Sequence, residues 1–352
     1  MNQRPYTVIL IVPTGIGASI GGYAGDALPV ARAIAQVCDR LITHPNVLNG
    51  AQLYWPLPNA FYVEGYGLDR FAAGEWGLRS VQQNRIGLIL DQGIESDLRL
   101  RQLQAADAAR ATLGLNLTEY IVTDAPLQVQ LQTGTSGATW GTIRQADSLL
   151  RAVEKLIHHA NAEAIAVVAR FPDEFGSEAL QNYRHGSGVD PLAGAEAVIS
   201  HLVVRKFQIP CAHAPALRPL PLDPQLNPRS AAEELGYTFL PSVLVGLSRA
   251  PQFTQNSRQS DALWCHDVDA VVVPATACGG SALLNLSQIQ VQIIAVRENQ
   301  TTMQLTPETL GIKATQVNSY LEALGALVAH RAGIDMRALT PHLSSLTCLS
   351  DN

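Results

Sequence analysis

The apolar residues of this chain recur in short runs, and most runs end in polar or glycine-rich segments. Strands are predicted where β-branched residues cluster, at residues 8–12 (VILIV), 40–43 (RLIT), 59–65 (NAFYVEG), 85–93 (RIGLILDQG) and 162–170 (AEAIAVVAR). Apolar residues at helical spacing predict helices at residues 27–39, 94–113 and 142–160. The alternation predicts an α/β fold in three layers, with a mostly parallel sheet flanked by helices.

The second half of the chain continues the pattern. Further strands are predicted at residues 239–247, 269–274 and 292–296, and a closing helix at 318–332. Residues 120–124 and 127–132 are interpreted as strands paired about Pro126, and the six prolines of residues 210–228 predict an irregular surface crossing. We expect an N-terminal lobe over residues 1–141 and a C-terminal lobe over residues 142–352, with a crevice between them. The alternative is one continuous domain.

Composition narrows the class of protein. The 352 residues are 47% hydrophobic and 15% charged, with a formal net charge of -6. That charge balance argues against a nucleic-acid partner, which needs a concentrated basic surface. The apolar run near the N-terminus is too short to span a membrane, so we expect a cytoplasmic protein without a membrane partner. Five widely spaced cysteines without a CxxC pair indicate neither a disulfide scaffold nor a structural zinc site, and a homo-oligomer is compatible with this size.

The first glycine-rich segment, residues 13–26 (PTGIGASIGGYAGD), lies between a predicted strand and a helix for which Asp26 is the expected N-cap. Free backbone N–H groups and a helix N-terminus favour an anion there. The glycine spacing is not a clean GxGxxG, and no acidic residue closes a second strand, so NAD is an unlikely cofactor. The alternative is a structural tight turn. The candidate ligand-binding residues are Thr14, Gly15, Gly17, Ser19, Gly21 and Gly22.

The second glycine-rich segment, residues 133–141 (TGTSGATWG), is also placed between a strand and a helix. It offers several hydroxyl groups but lacks the lysine of an ATP-binding P-loop, so it suits an anion that is not transferred. The alternative is close backbone packing by small residues. Its candidate ligand-binding residues are Thr133, Gly134, Thr135, Ser136, Gly137 and Thr139.

Three strand tips carry groups suited to catalysis. His44 follows the second strand and can act as acid, base or ligand, with Asn46 and Asn49 as ligand-binding candidates beside it. Glu64 and Asp91 end the next two strands. Two carboxylates in one crevice can transfer protons or hold a divalent metal, whereas either can instead cap a helix.

The long connection over residues 171–189 is a candidate lid. Its Arg184 and His185 suit the capture of an anionic substrate, and Asp190 is the expected N-cap of the helix that follows. Glu196 and His201 lie five residues apart on that helix, a poor spacing for metal ligands, and are interpreted as solvated or as lying behind a site without contacting its ligand.

Near the C-terminus the remaining candidates are the catalytic thiol of Cys278 and the ligand-binding residues Gly279, Gly280 and Arg297. Cys211 and Cys278 together would suit a two-thiol racemase, although a buried cysteine usually acts as a small apolar residue.

Several of these strings resemble a mainly cyanobacterial family known by a domain-of-unknown-function label. They are VPTGIGASIGGYAGDALPVA, THPNVLNG, NAFYVEGYGLDRF, TGTSGATWG, GVDPLAGAEAVISHLV, PCAHAP and VPATACGG. The resemblance covers nearly the whole chain and assigns no residue a role. It implies a free-standing protein in which these loops are characteristic.

The residues favour an enzyme that acts on a small anionic metabolite bearing phosphate or carboxylate. The reaction stays open among transfer, isomerisation and hydrolysis, and a cofactor is unassigned. The main alternative is a non-catalytic small-molecule-binding or regulatory protein. An NAD(P)-dependent oxidoreductase and a two-thiol racemase are further alternatives.

Overall fold

A computed structural model describes residues 4–49, 57–174, 176–234, 239–256 and 261–346. The strands are β1 (Thr7–Leu10), β2 (Arg40–Thr43), β3 (Ala60–Tyr62), β4 (Gly77–Arg79), β5 (Ile86–Leu90), β6 (Leu117–Val122), β7 (Val129–Thr133), β8 (Thr139–Ile143), β9 (Ala164–Arg170), β10 (Cys211–Ala216), β11 (Gln252–Thr254), β12 (Ala262–Leu263), β13 (Ala270–Pro274), β14 (Gln292–Val296) and β15 (Thr315–Val317). The α-helices are α1 (Leu28–Val37), α2 (Pro45–Leu48), α3 (Gly65–Ala72), α4 (Ser96–Leu113), α5 (Ala146–Ala160), α6 (Glu178–Arg184), α7 (Ala193–Phe207), α8 (Ala231–Glu234), α9 (Phe239–Ser248), α10 (Ser281–Leu286) and α11 (Tyr320–Arg331). Short 3₁₀ turns occupy Cys265–Asp267, Glu308–Leu310 and Met336–Leu339.

Two parallel sheets organise the fold. The large sheet has six strands in the order β15-β14-β13-β1-β2-β3, and the small sheet has four in the order β10-β9-β5-β6. Every strand pair within these two sheets is parallel. A three-stranded antiparallel sheet (β11-β4-β12) and the β7-β8 hairpin complete the described strands. The mixed α/β fold with a mostly parallel sheet is therefore confirmed.

Helices cover both faces of each parallel sheet, which explains why their strands are continuous apolar runs. One face of the large sheet packs against α3 and α10 through Ile9, Phe71 and Leu283. The corresponding face of the small sheet packs against α5 and α7 through Val167 and Ile199. The opposite faces of both sheets share one core with α1, α4, α9 and α11.

Some strands begin and end where the sequence predicts. The predicted strands at residues 40–43 and 292–296 match β2 and β14 at both ends. The predicted helix at 318–332 corresponds to α11, and the one at 94–113 to α4. The predicted helix at 142–160 begins later, at Ala146, because β8 occupies the preceding residues.

Three predictions of secondary structure are wrong. Residues 239–247 form helix α9 rather than a strand, since a fully buried apolar run lacks the periodicity that separates the two. β6 pairs with β5 and β7 with β8, so residues 120–124 and 127–132 do not pair with each other. The proline-rich segment begins with the buried strand β10, which tolerates Pro215 because it is the edge strand of its sheet.

The chain crosses between the two sheets. The large sheet takes β1 to β3 from the beginning of the chain and β13 to β15 from its last third, while the small sheet lies between them in sequence. The boundary expected between residues 141 and 142 therefore runs between strands of one sheet, because β5 and β6 precede it and β9 and β10 follow it. Within the described ranges, no helix has both the length and the apolar character needed to cross a bilayer.

Candidate functional site

A cavity of about 400 Å³ lies where the carboxyl ends of the two parallel sheets meet. This volume lies within the range of small-molecule sites in proteins. The large sheet contributes residues that follow β1, β2, β3 and β13, and the small sheet contributes residues that follow β9 and β10. Helix α7 presents one face to the cavity through Ala193, Glu196, Ala197, Ser200 and His201.

The candidates from the sequence divide into two groups, and all of them lie within the described ranges. Those that line the cavity are Thr14, His44, Asn46, Asn49, Glu64, Arg184 and Gly280. Those that lie outside its lining are Gly15, Gly17, Ser19, Gly21, Gly22, Asp91, Thr133, Gly134, Thr135, Ser136, Gly137, Thr139, His185, Cys278, Gly279 and Arg297.

Glu64 is held at the tip of β3 and pairs with His201. Its Oε2 accepts hydrogen bonds from the backbone N–H of Tyr66 (2.8 Å) and Gly67 (3.2 Å), which caps α3. Its other oxygen, Oε1, lies 2.5 Å from Nδ1 of His201. A Cβ on Gly65 would lie 3.0 Å from Cε1 of His201, so glycine at this position lets the ring approach. The capping role and the cavity-lining position of Glu64 therefore coexist.

The pairing favours a charged His201. Burial by itself lowers the pKa of His201, but the close contact with Glu64 and its negative charge outweigh burial and raise it. With Nδ1 facing the carboxylate, Nε2 is the nitrogen left for a ligand. A histidine oriented in this way by a carboxylate is the arrangement found in many general acid–base sites.

His44 has a fixed, neutral ring. Its Nε2 accepts a hydrogen bond from the backbone N–H of Val12 at 2.9 Å, so the proton of the neutral ring is on Nδ1. Burial lowers the pKa of His44 to about 4, because no described carboxylate compensates for the loss of water. Among the described residues, Nδ1 has no hydrogen-bond acceptor. His44 can therefore donate a hydrogen bond to a ligand in the cavity.

His213 is the third cavity histidine, and it is held differently from His201. Its Nδ1 lies 3.1 Å from the hydroxyl of Ser200, which donates to the carbonyl of Ala197 at 3.3 Å. Its Nε2 lies 3.7 Å from Oε2 of Glu196, which is too long for a hydrogen bond. Nε2 of His213 and Oε2 of Glu196 therefore lie near each other in the cavity wall without forming a hydrogen bond.

A group of carboxylates forms the part of the wall nearest the segment that follows β1. Glu233 accepts hydrogen bonds from the Ala24 backbone N–H (2.7 Å) and, through a very short contact, from the Tyr183 hydroxyl. Burial and the nearby charge of Glu196 raise the pKa of Asp190 to about 7. Burial, and then the charge of Asp190, raise the pKa of Glu233 well above its usual range. This wall favours protonated carboxyl groups at neutral pH.

Arg184 and His185 have structural partners. Nε of Arg184 donates to Glu234 at 2.7 Å, and its backbone carbonyl accepts from Asn227 and Ser230. His185 is partly exposed and contacts Asp223 at 2.9 Å. These bonds join the connection over residues 171–189 to the segment that contains α8.

The first glycine-rich segment uses several of its backbone donors within the protein. Oδ1 of Asp26 accepts from Gly21 (2.7 Å) and Tyr23 (3.3 Å), and Asn299 accepts from Ile20. The prediction that Asp26 caps α1 is wrong, since the helix begins at Leu28 with Ala27 at the N-cap. The carboxylate of Asp26 instead accepts the backbone hydrogen bonds of the turn that precedes α1.

The second glycine-rich segment is the turn of the β7-β8 hairpin, so the prediction that a helix follows it directly is wrong. The two glycine-rich segments do meet, because the Thr139 backbone N–H donates to the Gly15 carbonyl at 2.9 Å. The Thr139 hydroxyl donates to the carbonyl of Asp190. The prediction that Asp190 caps α7 also needs correction: the helix starts at Ala193, and Asp190 accepts from the N–H of Leu192 before it begins.

The other candidates away from the cavity have internal partners. Asp91 is buried and accepts hydrogen bonds from the backbone N–H groups of Gly93, Leu127 and Arg170. Cys278 is buried near the carbonyls of its own turn, and burial raises its pKa to about 11. Arg297 is exposed and bonds to Gln316. Over the described residues, no group of three or more His, Cys, Asp or Glu side chains is arranged to hold a metal ion.

The cavity residues to which sequence reasoning gave no role include His201, His213, Glu196 and Ser200. The interpretation of His201 and Glu196 as solvated, or as lying behind a site, considered only metal-ligand spacing. A usable signal was present in α7, where Glu196, Ser200 and His201 share a face with the small residues Ala193 and Ala197. Small residues leave room for a ligand beside a helix.

Comparisons with known proteins identify the family of the chain. A family model described as "Protein of unknown function (DUF3326)" matches residues 7–340. An uncharacterized lipoprotein of the cyanobacterium Synechococcus sp. is 60% identical over 342 residues, which cover 97% of this chain and 95% of that protein. No protein of solved structure matches. The resemblance seen in the sequence strings is thereby confirmed, and the chain belongs to the DUF3326 family.

Proposed function

We propose that this protein is an enzyme that moves protons on a small polar metabolite bound in the cavity. The observation that carries the proposal is the 2.5 Å contact between Glu64 Oε1 and His201 Nδ1, at the edge of a cavity of metabolite size. A carboxylate that orients an imidazole and raises its pKa prepares a general acid near neutral pH. Charged pairs of this kind also occur as structural contacts, so activity is the decisive readout.

His44 has a separate role in this proposal. Because its ring is neutral and its Nε2 is occupied by Val12, it acts as a hydrogen-bond donor and not as a base. A neutral imidazole can polarise a carbonyl oxygen or stabilise an oxyanion. His44 would thus stabilise negative charge that develops on the substrate while His201 supplies the proton.

The charges of the cavity suggest a substrate class. Eight carboxyl groups line it: Glu64, Asp69, Asp173, Glu174, Asp190, Glu196, Glu233 and Glu234. The raised pKa values of Asp190 and Glu233 favour their neutral forms, so the negative charge comes chiefly from the others. The lining arginines already face carboxylates, since Arg184 bonds to Glu234 and Arg218 lies 3.4 Å from Glu95. A phosphate or carboxylate group would enter an acidic environment. We therefore propose a neutral, hydroxyl-bearing substrate in preference to the anionic metabolite suggested by the glycine-rich segments.

The test is metabolite turnover. Purified protein is incubated with the small-molecule fraction of a bacterial extract, and compounds that disappear or form are followed by mass spectrometry. We expect wild type to convert at least one compound and His201→Asn to convert it about 10²–10⁴-fold more slowly. Asparagine keeps a polar atom at the Nδ1 position, so the contact with Glu64 is retained.

His185→Asn is the matched control, because it removes a histidine that lies outside the cavity. It should convert the compound at the wild-type rate. A compound retained by wild type but never altered would contradict the proposal and favour a non-catalytic binding protein. Equal rates for wild type and His201→Asn would contradict the role of His201.

We also propose a cytoplasmic location. The Synechococcus relative is named a lipoprotein, and a lipid anchor requires an accessible attachment site. Among the cysteines in the described ranges, Cys38, Cys211 and Cys278 are buried and Cys265 is partly exposed. Fractionation of cells that express the full chain tests this location: the protein should stay with the supernatant after membranes are pelleted. Recovery with the membranes, and release only by detergent, would contradict it.

A further inference from the structure

We propose that His213 is the general base that complements His201, and that the reaction is a proton shift within a single hydroxycarbonyl substrate. This inference rests on the proposed function and assigns its reaction type. Both histidines line the same cavity. Their carboxylate partners differ in distance, at 2.5 Å for His201 and 3.7 Å for His213.

Nδ1 of His213 contacts Ser200, which leaves Nε2 as the nitrogen available to a ligand. The Ser200 hydroxyl lies 3.3 Å from the carbonyl of Ala197 and 3.1 Å from Nδ1 of His213. When its single proton is donated to Ala197, its oxygen accepts from Nδ1–H of His213, and Nε2 can accept a proton. In that arrangement His213 has the tautomer required of a base.

Glu196 marks the place where a substrate would bind. Its Oε2 lies 3.7 Å from Nε2 of His213, and both groups line the cavity. Neither atom has a closer hydrogen-bond partner among the described residues. A polar group without a partner in a largely enclosed site usually meets a ligand or an ordered water. A substrate hydroxyl that donates to Glu196 would lie beside the base.

Helix geometry brings the two histidines to the same substrate from different directions. Ser200, which holds His213, and His201 are consecutive residues of α7, and consecutive helical side chains point about 100° apart. The imidazole of His201 lies 2.5 Å from a carboxylate, whereas that of His213 contacts the Ser200 hydroxyl. Two titratable groups in different environments are typical of the acid and the base of an enzyme.

The proton shift balances without a co-substrate. Nε2 of His213 removes a proton from the carbon that bears the hydroxyl, while His201 donates a proton to the neighbouring carbonyl oxygen, which gives an enediol. The electron pair of the C–H bond becomes the C=C bond. His213 then returns its proton to the other carbon, and His201 recovers a proton from the other hydroxyl oxygen. The product is the isomeric hydroxycarbonyl compound, and both histidines regain their starting states.

The experiment measures hydrogen exchange at carbon. Unphosphorylated aldoses and ketoses of three to six carbons are incubated with the protein in D₂O, and deuterium bound to carbon is followed by NMR. Wild type should label at least one sugar next to its carbonyl. His213→Asn keeps a polar atom for Ser200 but lacks the base, and should label about 10²–10⁴-fold more slowly. Ser200→Ala keeps the base without fixing its tautomer, and should show a smaller loss.

Two further measurements keep the test of His213 decisive. Thermal unfolding of the variants shows whether they fold, and Glu196→Gln gives a second test that leaves His213 intact, with labelling expected to fall. Equal labelling by wild type and His213→Asn would overturn the role of His213. The absence of any labelled sugar would overturn the proposed reaction. If wild type still converts a compound of the bacterial extract in a His201-dependent way, the proposed function stands although this inference fails.

Discussion

The glycine-rich segment after β1 and the three cavity histidines both lie at the carboxyl ends of strands, but they use their polar atoms differently. In the segment, the backbone donors of Ile20, Gly21 and Ala24 are bonded to side chains of the protein itself. In the cavity, Nδ1 of His44 and Nε2 of His213 lack such partners among the described residues. Several backbone donors of the segment therefore serve the turn itself, whereas the cavity wall presents polar atoms that the described residues do not bond.

This difference shows that glycine content alone does not distinguish a binding loop from a structural turn. Glycines permit positive φ angles and close approach, and both properties serve packing as readily as binding. Gly21 has a φ of +92°, and a Cβ there would lie 2.4 Å from Cγ1 of Val12. The close packing of Val12 against Gly21 therefore requires glycine at this position. Unpaired polar atoms in a cavity are the better indicator of a ligand site.

The largest expected effect comes from Glu64→Gln. Glutamine can still accept hydrogen bonds from Tyr66 and Gly67, so α3 keeps its cap, but the charge that favours protonated His201 is lost. We expect turnover to fall about 10²–10⁴-fold, equivalent to about 3–5 kcal/mol of transition-state stabilisation. Steady-state kinetics on a compound converted by wild type measures the change. Unaltered turnover would show that the pair serves structure alone.

Gly21→Ala should have the opposite effect to Glu64→Gln: it should reduce stability and leave turnover unchanged. The strained φ and the contact with Val12 predict a loss of about 2–4 kcal/mol in the free energy of unfolding. Urea denaturation measures that loss, and turnover per folded molecule should stay near wild type. Gly114→Ala is the control, because its φ is also positive (+65°) but nothing lies within 4 Å of the added Cβ, so a loss of about 1 kcal/mol is expected. Equal losses would contradict the packing argument.

Asp190→Asn tests the protonated wall of the cavity. The pKa of Asp190 is raised from 3.8 to about 7, so between these values the folded state retains a proton that the unfolded state has released. The stability contributed by this group therefore decreases as pH rises from about 4 to about 7. Asparagine can still accept from Leu192 but does not titrate.

We expect the stability of Asp190→Asn relative to wild type to increase over that pH range, by about 2–4 kcal/mol in total. Burial of neutral His44 acts in the opposite direction, because it favours the folded state as pH rises through the same range. The comparison is therefore made as variant minus wild type at each pH, by urea denaturation. A difference that does not change with pH would contradict the burial of a protonated Asp190.

The smallest effect is expected at the tip of the β7-β8 hairpin. Ser136 is exposed, and its hydroxyl makes one long contact, 3.4 Å from the Ala138 nitrogen. Ser136→Ala should change stability by less than about 0.5 kcal/mol and leave turnover intact. A clear loss of turnover would show that this hairpin, and not only the cavity, binds the substrate.

The sheets were predictable because their strands are apolar on both faces. The runs at β1, β13 and β14 are typical of strands in a covered parallel sheet, and the ends of β14 match the pattern at both sides. Helix α9 was not predictable in this way, because its apolar residues surround the whole helix and remove the periodic signal.

The site was predictable only in part. His44 and Glu64 follow strands, so sheet topology alone brings them to one edge. His201 lies on a helix far along the chain, and its partner Glu64 is revealed only when α7 packs beside α3. Likewise, His213 lies on β10 between Cys211 and Pro215. Its place in the site becomes visible only when α7 packs against β10 and brings Ser200 to Nδ1 of His213. Long-range packing, which no local pattern records, decides both pairs.

The pairing of β1 with β13 has a consequence for biosynthesis. Val8 lies opposite Ala270, so the first strand cannot find one of its two neighbours until most of the chain has left the ribosome. The small sheet, with all its strands between Ile86 and Ala216, can assemble earlier. A chain cut short before β13 would therefore present an unpaired apolar strand to chaperones and proteases, and no finished cavity to a metabolite. Quality control of this protein should act chiefly on such incomplete chains.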